Sequence, residues 1–417
     1  MKLINWKHAL SSISWFVVIL LCISFSLSSC KDSNDEQEEN KLQRVLALNV
    51  SEGKLSNLIS VEQKYSVEKL ILTGKLNGDD ISFLREMAGI DRYGNATGGR
   101  LEYLDMKNAQ IVKGGGYYFM LERTSNDIIG DNMFGNCFPL KTLILPSGTI
   151  GVGTGAFSES GLTAMTIPDS VKWIEESAFS ECDSLRSITM SDNVTSLGYY
   201  AFFGCESLTD VRLSDSIKTL SATFCACHSL VSVKLPKLLT KINSRVFYDC
   251  SHLLSVDIPA SVNEIGDFPF DFCPSLKAIN VDWKNKSYSS TNGVLFNYDG
   301  NSLIRFPSAY PSDTYTIPSN VSTLSIYAFL GSDSLRQITI PSTVNHISYG
   351  AFLSCFALTD IYMKGSCPEI LYDSYNSPYN TFEDITFKNC TLHVPYQRMD
   401  QYKANWGWKH FANIDSF

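Results

Sequence analysis

The sequence has few histidines, and none of them stands in a pattern that is typical of catalysis or metal binding. The six histidines are spread along the chain, and neither His-Glu-x-x-His nor Gly-x-Ser-x-Gly occurs. The Gly-rich stretches at 91–100 and 114–116 lack the Lys-Ser/Thr follow-on and the dinucleotide spacing of phosphate-binding loops. We therefore predict a protein that is not an enzyme and that carries no cofactor and no metal ion.

Basic residues are also scarce, and long apolar segments are rarer still. Lysine and arginine number 34 against 43 aspartates and glutamates, which gives a net charge of −9. Nucleic-acid binding needs clustered basic residues that neutralise phosphates, so this balance argues against a nucleic-acid partner. After residue 30 no segment is long and apolar enough to span a bilayer. We therefore expect contact with a membrane only through an N-terminal lipid.

What the sequence has in abundance is a repeat of 22 or 23 residues. In the copy at 177–198, a tight turn around Phe179 precedes one short strand that ends at Met190 and a second that ends at Leu197. The apolar residues of so short a unit cannot bury one another, so each copy needs a neighbour of the same shape on either side. The pattern predicts a repeat solenoid with parallel β-sheet faces and short turns or 3-10 segments between the strands. The repeat phenylalanine recurs at Phe134, Phe157, Phe179, Phe202, Phe224, Phe247, Phe270, Phe329 and Phe352.

The twelve cysteines suggest disulfides, but most of them fall in one column of the repeat. A small residue that packs well when buried suits such a column, so we interpret these thiols as structural. We interpret Cys225-Ala226-Cys227-His228 as part of a turn and not as a zinc site. Cys367 and Cys390 lie outside the column, and whether they pair is left open. The column holds Cys137, Cys182, Cys205, Cys227, Cys250, Cys273 and Cys355, with Ser160 and Ser332 in two other copies.

The first 40 residues have the composition of a targeting segment followed by a tether. A positively charged start precedes an apolar run at 13–27, which is short for a membrane span. Leu27-Ser28-Ser29-Cys30 resembles the cleavage box of bacterial lipoproteins, which implies a signal peptide at 1–29 and a lipid on Cys30; the alternative is a generic secretory signal. Residues 30–40 form a flexible acidic tether that resembles the surface-export signal of Bacteroidetes lipoproteins, or else a plain spacer.

The rest of the chain divides into three parts. Residues 41–131 are predicted to hold longer, helix-bearing repeats that close the open end of the sheet. Residues 132–365 hold the regular repeats, and residues 366–417 form a C-terminal cap. In the N-terminal part we expect helices at 51–64 and 81–88.

Strands complete the expected ends of the solenoid. In the N-terminal part they are predicted at 70–72, ending at Gly74, and at 101–106. In the C-terminal cap a last strand is predicted at 392–395 and a short helix at 396–405. The aromatic plug of that cap is predicted to contain Trp406, Trp408, Phe411 and Ile414.

An insertion at about 283–311 interrupts the period between Phe270 and Phe329. Apolar segments on both sides of Asn297-Tyr298-Asp299-Gly300 predict a β-hairpin there. Two interpretations stay open. The hairpin is either a projecting binding feature or a decorated repeat that covers apolar surface such as Trp283.

The combined repeat pattern is Ala-Phe-x-x-Cys-x-Ser-Leu-x-x-Ile-x-Ile-Pro-x-x-Val-x-x-Ile-Gly, seen in 174–194 and again in 327–348. It resembles the BspA-type leucine-rich repeat of bacterial surface proteins, and the closing segment from Leu392 to Ile414 is similar to that of Bacteroides members. The resemblance covers about 130–417 and implies a leucine-rich-repeat superhelix with some helix in its N-terminal portion. Family members are surface or secreted proteins associated with adhesion, and some bind matrix proteins such as fibronectin.

Outward positions on the strands are the natural place for a binding surface, because stacked strands present an extended face. Arg212, Lys234 and Asp257 form a charged run among threonines on the first strands, and Tyr362 occupies the same position further along. Trp173 lies at an outward position on a second strand. We predict that these five residues face a ligand; the alternative is a plain solvated sheet face.

These features favour a lipid-anchored outer-membrane protein, displayed on the cell surface, that binds an extracellular or host protein. Two alternatives stay open. A glycan-capture lipoprotein would need Trp173, Trp283, Tyr288 and Tyr362 to be neighbours, and a periplasmic scaffold would lie on the inner side of the outer membrane. An enzyme would need a deep polar pocket, expected within 41–131.

Overall fold

The structure is a computed structural model that describes residues 44–370 and 381–417. The predicted signal peptide, Cys30 and the acidic tether lie outside the described residues. Residues 371–380 of the predicted C-terminal cap lie outside them as well. In the described part the chain winds into a solenoid of parallel strands with few helices. This arrangement confirms the predicted repeat solenoid.

The first strand of each repeat stacks in parallel beside its neighbours, and we call these strands the first-strand row. Core-facing residues of successive strands lie side by side in it, as the buried Ile188 does with the buried Met165 and the half-buried Val211. The residues on either side of each buried one point outward, so the row has one core face and one solvent face. Its strands are Thr142–Ile144, Ala164–Thr166, Ser187–Thr189, Asp210–Arg212, Ser255–Ile258, Ala278–Val281, Thr314–Thr316, Gln337–Ile340, Asp360–Met363, Thr391–Val394 and Asn413–Ser416.

The second strand of each repeat is only two residues long and forms the second-strand row. One residue of each is outward and the other generally enters the core, as Trp173 and Ile174 illustrate. The strands are Ile128–Ile129, Gly151–Val152, Trp173–Ile174, Ser196–Leu197, Thr219–Leu220, Lys241–Ile242, Glu264–Ile265, Thr323–Leu324, His346–Ile347 and Glu369–Ile370.

The turns that join the repeats carry the phenylalanine and cysteine columns. All nine repeat phenylalanines are fully buried, and consecutive rings stack, for example Phe157 on Phe179 at 4.9 Å between centroids. The residues two before and two after each of them adopt a left-handed conformation, such as Ser177 (φ 54°) and Glu181 (φ 56°). These two left-handed positions bend the chain tightly enough to aim the ring and the thiol inward.

Hydrogen bonds tie each turn to both neighbours. The amide of Phe179 donates to the carbonyl of Ala201 in the next repeat at 2.9 Å. The thiol of Cys205 in that next repeat donates back to the carbonyl of Phe179 at 3.0 Å. The same thiol contact to the preceding phenylalanine carbonyl is made by Cys182, Cys227, Cys250, Cys273 and Cys355. Because a buried carbonyl needs a donor, the column is filled by a small side chain that can donate one.

The N-terminal end consists of three longer strands, Val45–Val50, Lys69–Leu76 and Tyr103–Ile111, which join the first-strand row in order. The helix predicted at 81–88 is present but starts three residues earlier, as Gly78–Met87, because the side chain of Asn77 caps it there. The strand predicted at 70–72 runs on past Gly74, because Gly74 pairs with Val50.

The single helix predicted at 51–64 is wrong. The structure has two one-turn helices there, Leu55–Leu58 and Val61–Lys64, separated by the extended residue Ile59. Ser60 starts the second helix with a capping box in which its hydroxyl accepts from the Gln63 amide and the Gln63 side chain accepts from the Ser60 amide. That box stops the first helix, since a capping residue lies outside the helical conformation.

The insertion adds two antiparallel pairings to an otherwise parallel fold. The hairpin predicted around Asn297 is present, with strands Val294–Asn297 and Ser302–Arg305. A third strand, Tyr288–Thr291, precedes it and pairs with the first of them through a turn at Asn292–Gly293. Its core-facing residues are fully buried, so the hairpin belongs to the wall of the solenoid and does not project. It does not cover Trp283 either, because that side chain is 84% exposed.

The C-terminal cap closes the row with one more strand than predicted. Asn413–Ser416 pairs in parallel with Thr391–Val394, so the strand predicted at 392–395 is not the last. Helices Asp384–Asn389 and Met399–Ala404 and the 3-10 helix Tyr396–Arg398 surround it. Trp408 and Phe411 are buried in the plug, but Trp406 is 44% exposed and lies at its edge.

Candidate binding surfaces

The charged run predicted from the sequence lies on the solvent face of the first-strand row. Arg212, Lys234 and Asp257 are all exposed and come from three successive repeats. Within residues 44–370 and 381–417, neither Arg212 nor Lys234 forms an ion pair, so both cations are available to a partner. Asp257 is held by a neighbour, because the Asn280 amide donates to its carboxylate at 2.9 Å.

The middle of this run coincides with a break in the row. Residues 232–235 form no ladder strand, although the repeats before and after them do. Among the described residues, no hydrogen bond is made by the main-chain amides of Ser232, Val233 or Lys234. A shallow cleft of about 550 Å³ opens over this segment, and Asp257, Ile258 and Asn280 line its other side. The cleft therefore combines free main-chain donors with side chains of both charges.

Tyr362 and Trp173 are placed differently. Tyr362 is half-buried on the first-strand row, where its ring stacks on His393 at 4.3 Å. His393 Nε2 lies 2.8 Å from a carboxylate oxygen of Asp360. Trp173 lies on the second-strand row, over its paired residue Gly151, where a Cβ atom would come within 2.2 Å of the indole ring. The two aromatic residues therefore lie on different faces of the solenoid.

The aromatic set that a glycan-capture surface would need is not brought together. No ring contact joins any two of Trp173, Trp283, Tyr288 and Tyr362 in the part of the chain that the structure describes. Tyr288 accepts a hydrogen bond from the Ile265 amide at 2.9 Å and lies beside the insertion.

A second cleft, of about 590 Å³, lies beside the insertion and was missed by sequence reasoning. Phe268, Tyr288 and Tyr327 line it together with the ion pair of Asp271 and Arg305, whose charged atoms approach to 2.7 Å. The sequence did contain one signal that could have located this cleft. Asn292-Gly293 is a strong β-hairpin turn signal, and it predicts the extra strand and therefore a local departure from the repeat.

The cysteines behave as a structural column. Burial raises the pKa of Cys182 to about 11 and that of Cys273 to about 12, so both remain protonated at neutral pH. Cys227 donates to a carbonyl inside the core, while His228 faces Glu206 and Asp249 at the surface. In residues 44–370 and 381–417 no three side chains of the metal-binding types converge on one point.

Cys367 and Cys390, which lie outside the column, are also free thiols. Cys390 is buried and Cys367 is half-buried, and neither forms a disulfide in the structure. Among the described residues, no helix has both the length and the apolar character needed to cross a bilayer.

Comparison with known proteins identifies the repeat. Residues 121–223, 221–310 and 305–396 match the BspA type leucine-rich repeat region, with 6 copies. No curated protein matches the chain.

Solved structures of bacterial repeat proteins are similar to it. A leucine-rich repeat protein from Eubacterium ventriosum has 22% identity and a TM-score of 0.47, over 61% of this chain and 73% of that one. A leucine-rich cell surface protein from Faecalibacterium prausnitzii has 24% identity and a TM-score of 0.46, over 74% and 86%. A leucine-rich repeat protein from Bacteroides ovatus has 19% identity and a TM-score of 0.43, over 89% and 92%.

The family match spans more than half of the sequence and covers the whole regular part of the solenoid. A solenoid of this kind is typically a non-catalytic binding scaffold, because it offers a long surface of regularly spaced side chains. The chain belongs to the BspA-type leucine-rich repeat family.

Proposed function

We propose that this chain is a non-catalytic binding protein that presents the solvent face of its first-strand row to a folded protein partner. The observation that carries the proposal is the cleft over residues 232–235. It lies where the regular row is broken, and Lys234 and Asp257 flank it. On a purely structural face we would expect a continuous β-ladder and paired cations. Here the ladder is interrupted at 232–235, and Arg212 and Lys234 form no ion pair among the described residues.

The charges on this face favour a partner with an acidic surface. Arg212 and Lys234 are exposed and form no ion pair among the described residues, whereas the carboxylate of Asp257 is engaged by Asn280; Asp282 also lines the cleft. Complementary charge across an interface steers association and sets its specificity. The free amides of residues 232–234 add donors that an extended segment of the partner would satisfy.

For the location, we propose a lipid on Cys30 that anchors the chain to the outer membrane, with the solenoid displayed on the cell surface. The lipoprotein-like box before Cys30 and the acidic tether that follows support this placement. A single acyl-anchored N-terminus would leave the whole solenoid free in solution at the end of the tether.

Binding to immobilised fibronectin tests the protein-partner proposal, with the double variant Arg212→Ala/Lys234→Ala. We expect the double variant to bind at least tenfold more weakly than the unaltered chain, with a smaller salt dependence. The matched control is Lys172→Ala/Lys218→Ala, which removes two exposed lysines near or on the second-strand row. Equal losses in both variants would contradict the assignment of this face.

Protease shaving of intact cells tests the location. We expect the full-length band to disappear on blots while a lipoprotein of the inner face survives. Survival of the band would contradict surface display and favour a periplasmic scaffold. Metabolic labelling with a fatty-acid analogue should mark the chain and should fail to mark Cys30→Ala.

A further inference from the structure

The first strand of the solenoid has one open edge. Val45–Val50 begins the first-strand row and, among the residues that the structure describes, pairs on one side only, with Lys69–Leu76. The amide of Lys69 donates to the carbonyl of Arg44 at 3.0 Å. Alternate residues of a strand direct their main-chain groups to opposite sides, so the amides and carbonyls at positions 45, 47 and 49 point to the open edge. These groups are available to a further strand.

This edge lacks the features that ordinarily protect an edge strand from pairing. Its sequence, Val-Leu-Ala-Leu-Asn-Val, contains no charged residue and no proline. Its pairing with the next strand is unbroken from Val45 to Val50, so no bulge turns the edge away. The other end of the row differs, because its last strand, Asn413–Ser416, is shorter and carries Asp415. The N-terminal edge therefore has the composition of a strand that is paired on both sides.

The core is also left partly open at this end. The core-facing residues Leu46 and Leu48 are only half-buried, whereas their paired residues Leu70 and Leu72 are 0% and 1% exposed. Val61, in the same terminal repeat, is 73% exposed. A solenoid needs a cap over its terminal repeat, because each repeat buries its apolar residues against a neighbour. Leu46 and Leu48 have such a neighbour on one side only among the described residues.

The sequence that precedes this strand does not match the open edge. Residues 31–40 contain five acidic residues, and Leu42 is the one apolar residue in 31–43. A strand that covers Leu46 and Leu48 needs apolar side chains at every second position. Residues 31–43 do not provide them, so we look for the complementary strand in another molecule.

A second copy of the same strand does match it. Antiparallel pairing about a two-fold axis at Leu48 places Leu46 opposite Val50 of the second copy, so core-facing residues meet core-facing residues. The same register places Arg44 opposite Glu52 of the second copy, and both side chains are exposed. By symmetry this pair of opposite charges forms twice. An axis at Ala47 would instead place Arg44 opposite Val50 and leave the charges unmatched.

The contacts that these two charges make within the chain leave them free to take part. Arg44 Nη1 lies 2.7 Å from a carboxylate oxygen of Glu68, and Lys75 Nζ lies 3.7 Å from one of Glu52. All four side chains are at least 38% exposed. Ion pairs as exposed as these contribute little to stability, so sharing them with a second copy costs little.

We propose that two copies of this chain associate edge to edge through Val45–Val50, in the antiparallel register centred on Leu48. The first-strand row then continues from one solenoid into the other, and Leu46 and Leu48 gain the neighbour that they lack. The charges of Arg44 and Glu52 select this register. The dimer displays the cleft over residues 232–235 twice, since that cleft lies outside the interface.

Capture of one tagged copy of the full chain by another tests the proposal. Two C-terminal tags distinguish the copies, and one is captured from detergent-solubilised cells that express both. Arg44→Glu and Glu52→Arg each bring like charges together, so we expect at least a tenfold loss of captured partner when both copies carry the same single change. The double variant Arg44→Glu/Glu52→Arg should recover capture, because opposite charges meet again. The matched control is Arg100→Glu, which reverses an exposed cation outside the edge and should capture normally.

The two single variants also test each other. When one copy carries Arg44→Glu and the other Glu52→Arg, opposite charges face one another at both ends of the strand, and we expect capture to return. Misfolding of either variant would not produce this recovery. Equal capture by all charge variants, no capture by the unaltered chain, or failure of both recoveries would overturn the proposal.

Oxidative cross-linking of the full chain in intact cells locates the axis. Leu48→Cys places two thiols opposite each other, at the Cα separation of about 4.5 Å of a non-hydrogen-bonded pair, which a disulfide can bridge. The matched control is Ala47→Cys, whose thiols would lie opposite Asn49 and out of reach of each other. We expect a covalent dimer on non-reducing gels from Leu48→Cys and none from Ala47→Cys. The reverse result, or no covalent dimer from Leu48→Cys, would overturn the proposed register.

Discussion

The cysteine column predicts that this solenoid loses stability in mildly alkaline solution. Cys182 and Cys273 are fully buried, and burial raises the pKa of their thiols from an ordinary value of 9.0 to about 11 and about 12. Each thiol donates to a main-chain carbonyl of the preceding repeat at 3.0 Å. The folded chain therefore keeps protons that the unfolded chain releases once the pH exceeds 9.

The magnitude follows from the two pKa values. Because the folded-state pKa is the higher one, the stabilisation is complete below pH 9 and is lost as the pH rises toward 11 or 12. At pH 10 each thiol lowers the free energy of unfolding by about 1.4 kcal/mol. Two such thiols give about 3 kcal/mol, which is large against the usual stability of a domain.

The double variant Cys182→Ser/Cys273→Ser isolates this effect, since Ser160 and Ser332 already occupy the same column and do not titrate in this range. Urea unfolding would be measured for both chains, in the presence of a reductant, from pH 7.5 to pH 10. We expect the unaltered chain to lose about 3 kcal/mol more than the variant over that interval. Other titrating groups are common to both chains and cancel. If the free energies of unfolding of the two chains fell in parallel with pH, the thiols would not be buried groups that keep their protons in the folded state.

Three further substitutions test the packing. Asp80→Ala removes the buried carboxylate that accepts from the amides at positions 53, 55 and 77, so it should cost at least about 3 kcal/mol in urea unfolding. Gly151→Ala places a methyl group 2.2 Å from the ring of Trp173, and we expect a loss of about 1–3 kcal/mol with a red shift of the indole emission. Asp271→Ala leaves the guanidinium of Arg305 buried without its counter-ion, which should lower the free energy of unfolding by about 3–5 kcal/mol.

The period of the sequence was enough to predict the solenoid, because the buried columns repeat the same residues. A phenylalanine at every turn and a cysteine three residues later can be recognised without knowing where the backbone goes. The same spacing could have assigned Phe306 to the phenylalanine column, because it lies 23 residues before Phe329. In the structure its ring packs on that of Phe329 at 4.9 Å between centroids. It was missed because the insertion shifts the preceding spacing from Phe270.

Other features depend on contacts that no periodic pattern contains. Six of the seven column thiols donate to a main-chain carbonyl of the previous repeat, whereas sequence reasoning explained the column only as small-residue packing. The helix predicted at 51–64 fails because Ser60 and Gln63 cap a new helix inside an amphipathic stretch. The pair of Asp271 and Arg305 joins a regular repeat to the insertion, and sequence alone does not show which repeat the insertion contacts.

A repeat protein built from like columns has to place its specific functions where the columns are interrupted. The regular turns already hold one another, since most of the repeat phenylalanine amides and six of the seven column thiols bond to a neighbouring repeat. Among the described residues, two interruptions of the rows have a cleft beside them, the ladder break at 232–235 and the insertion that begins near Trp283. Each one has a cleft and polar groups without partners among the described residues. Removing the interruption, by replacing 232–235 with the sequence of Ser187–Met190, should restore the ladder and abolish binding of the protein partner. Unchanged binding would show that the partner contacts the regular columns and not the interruption.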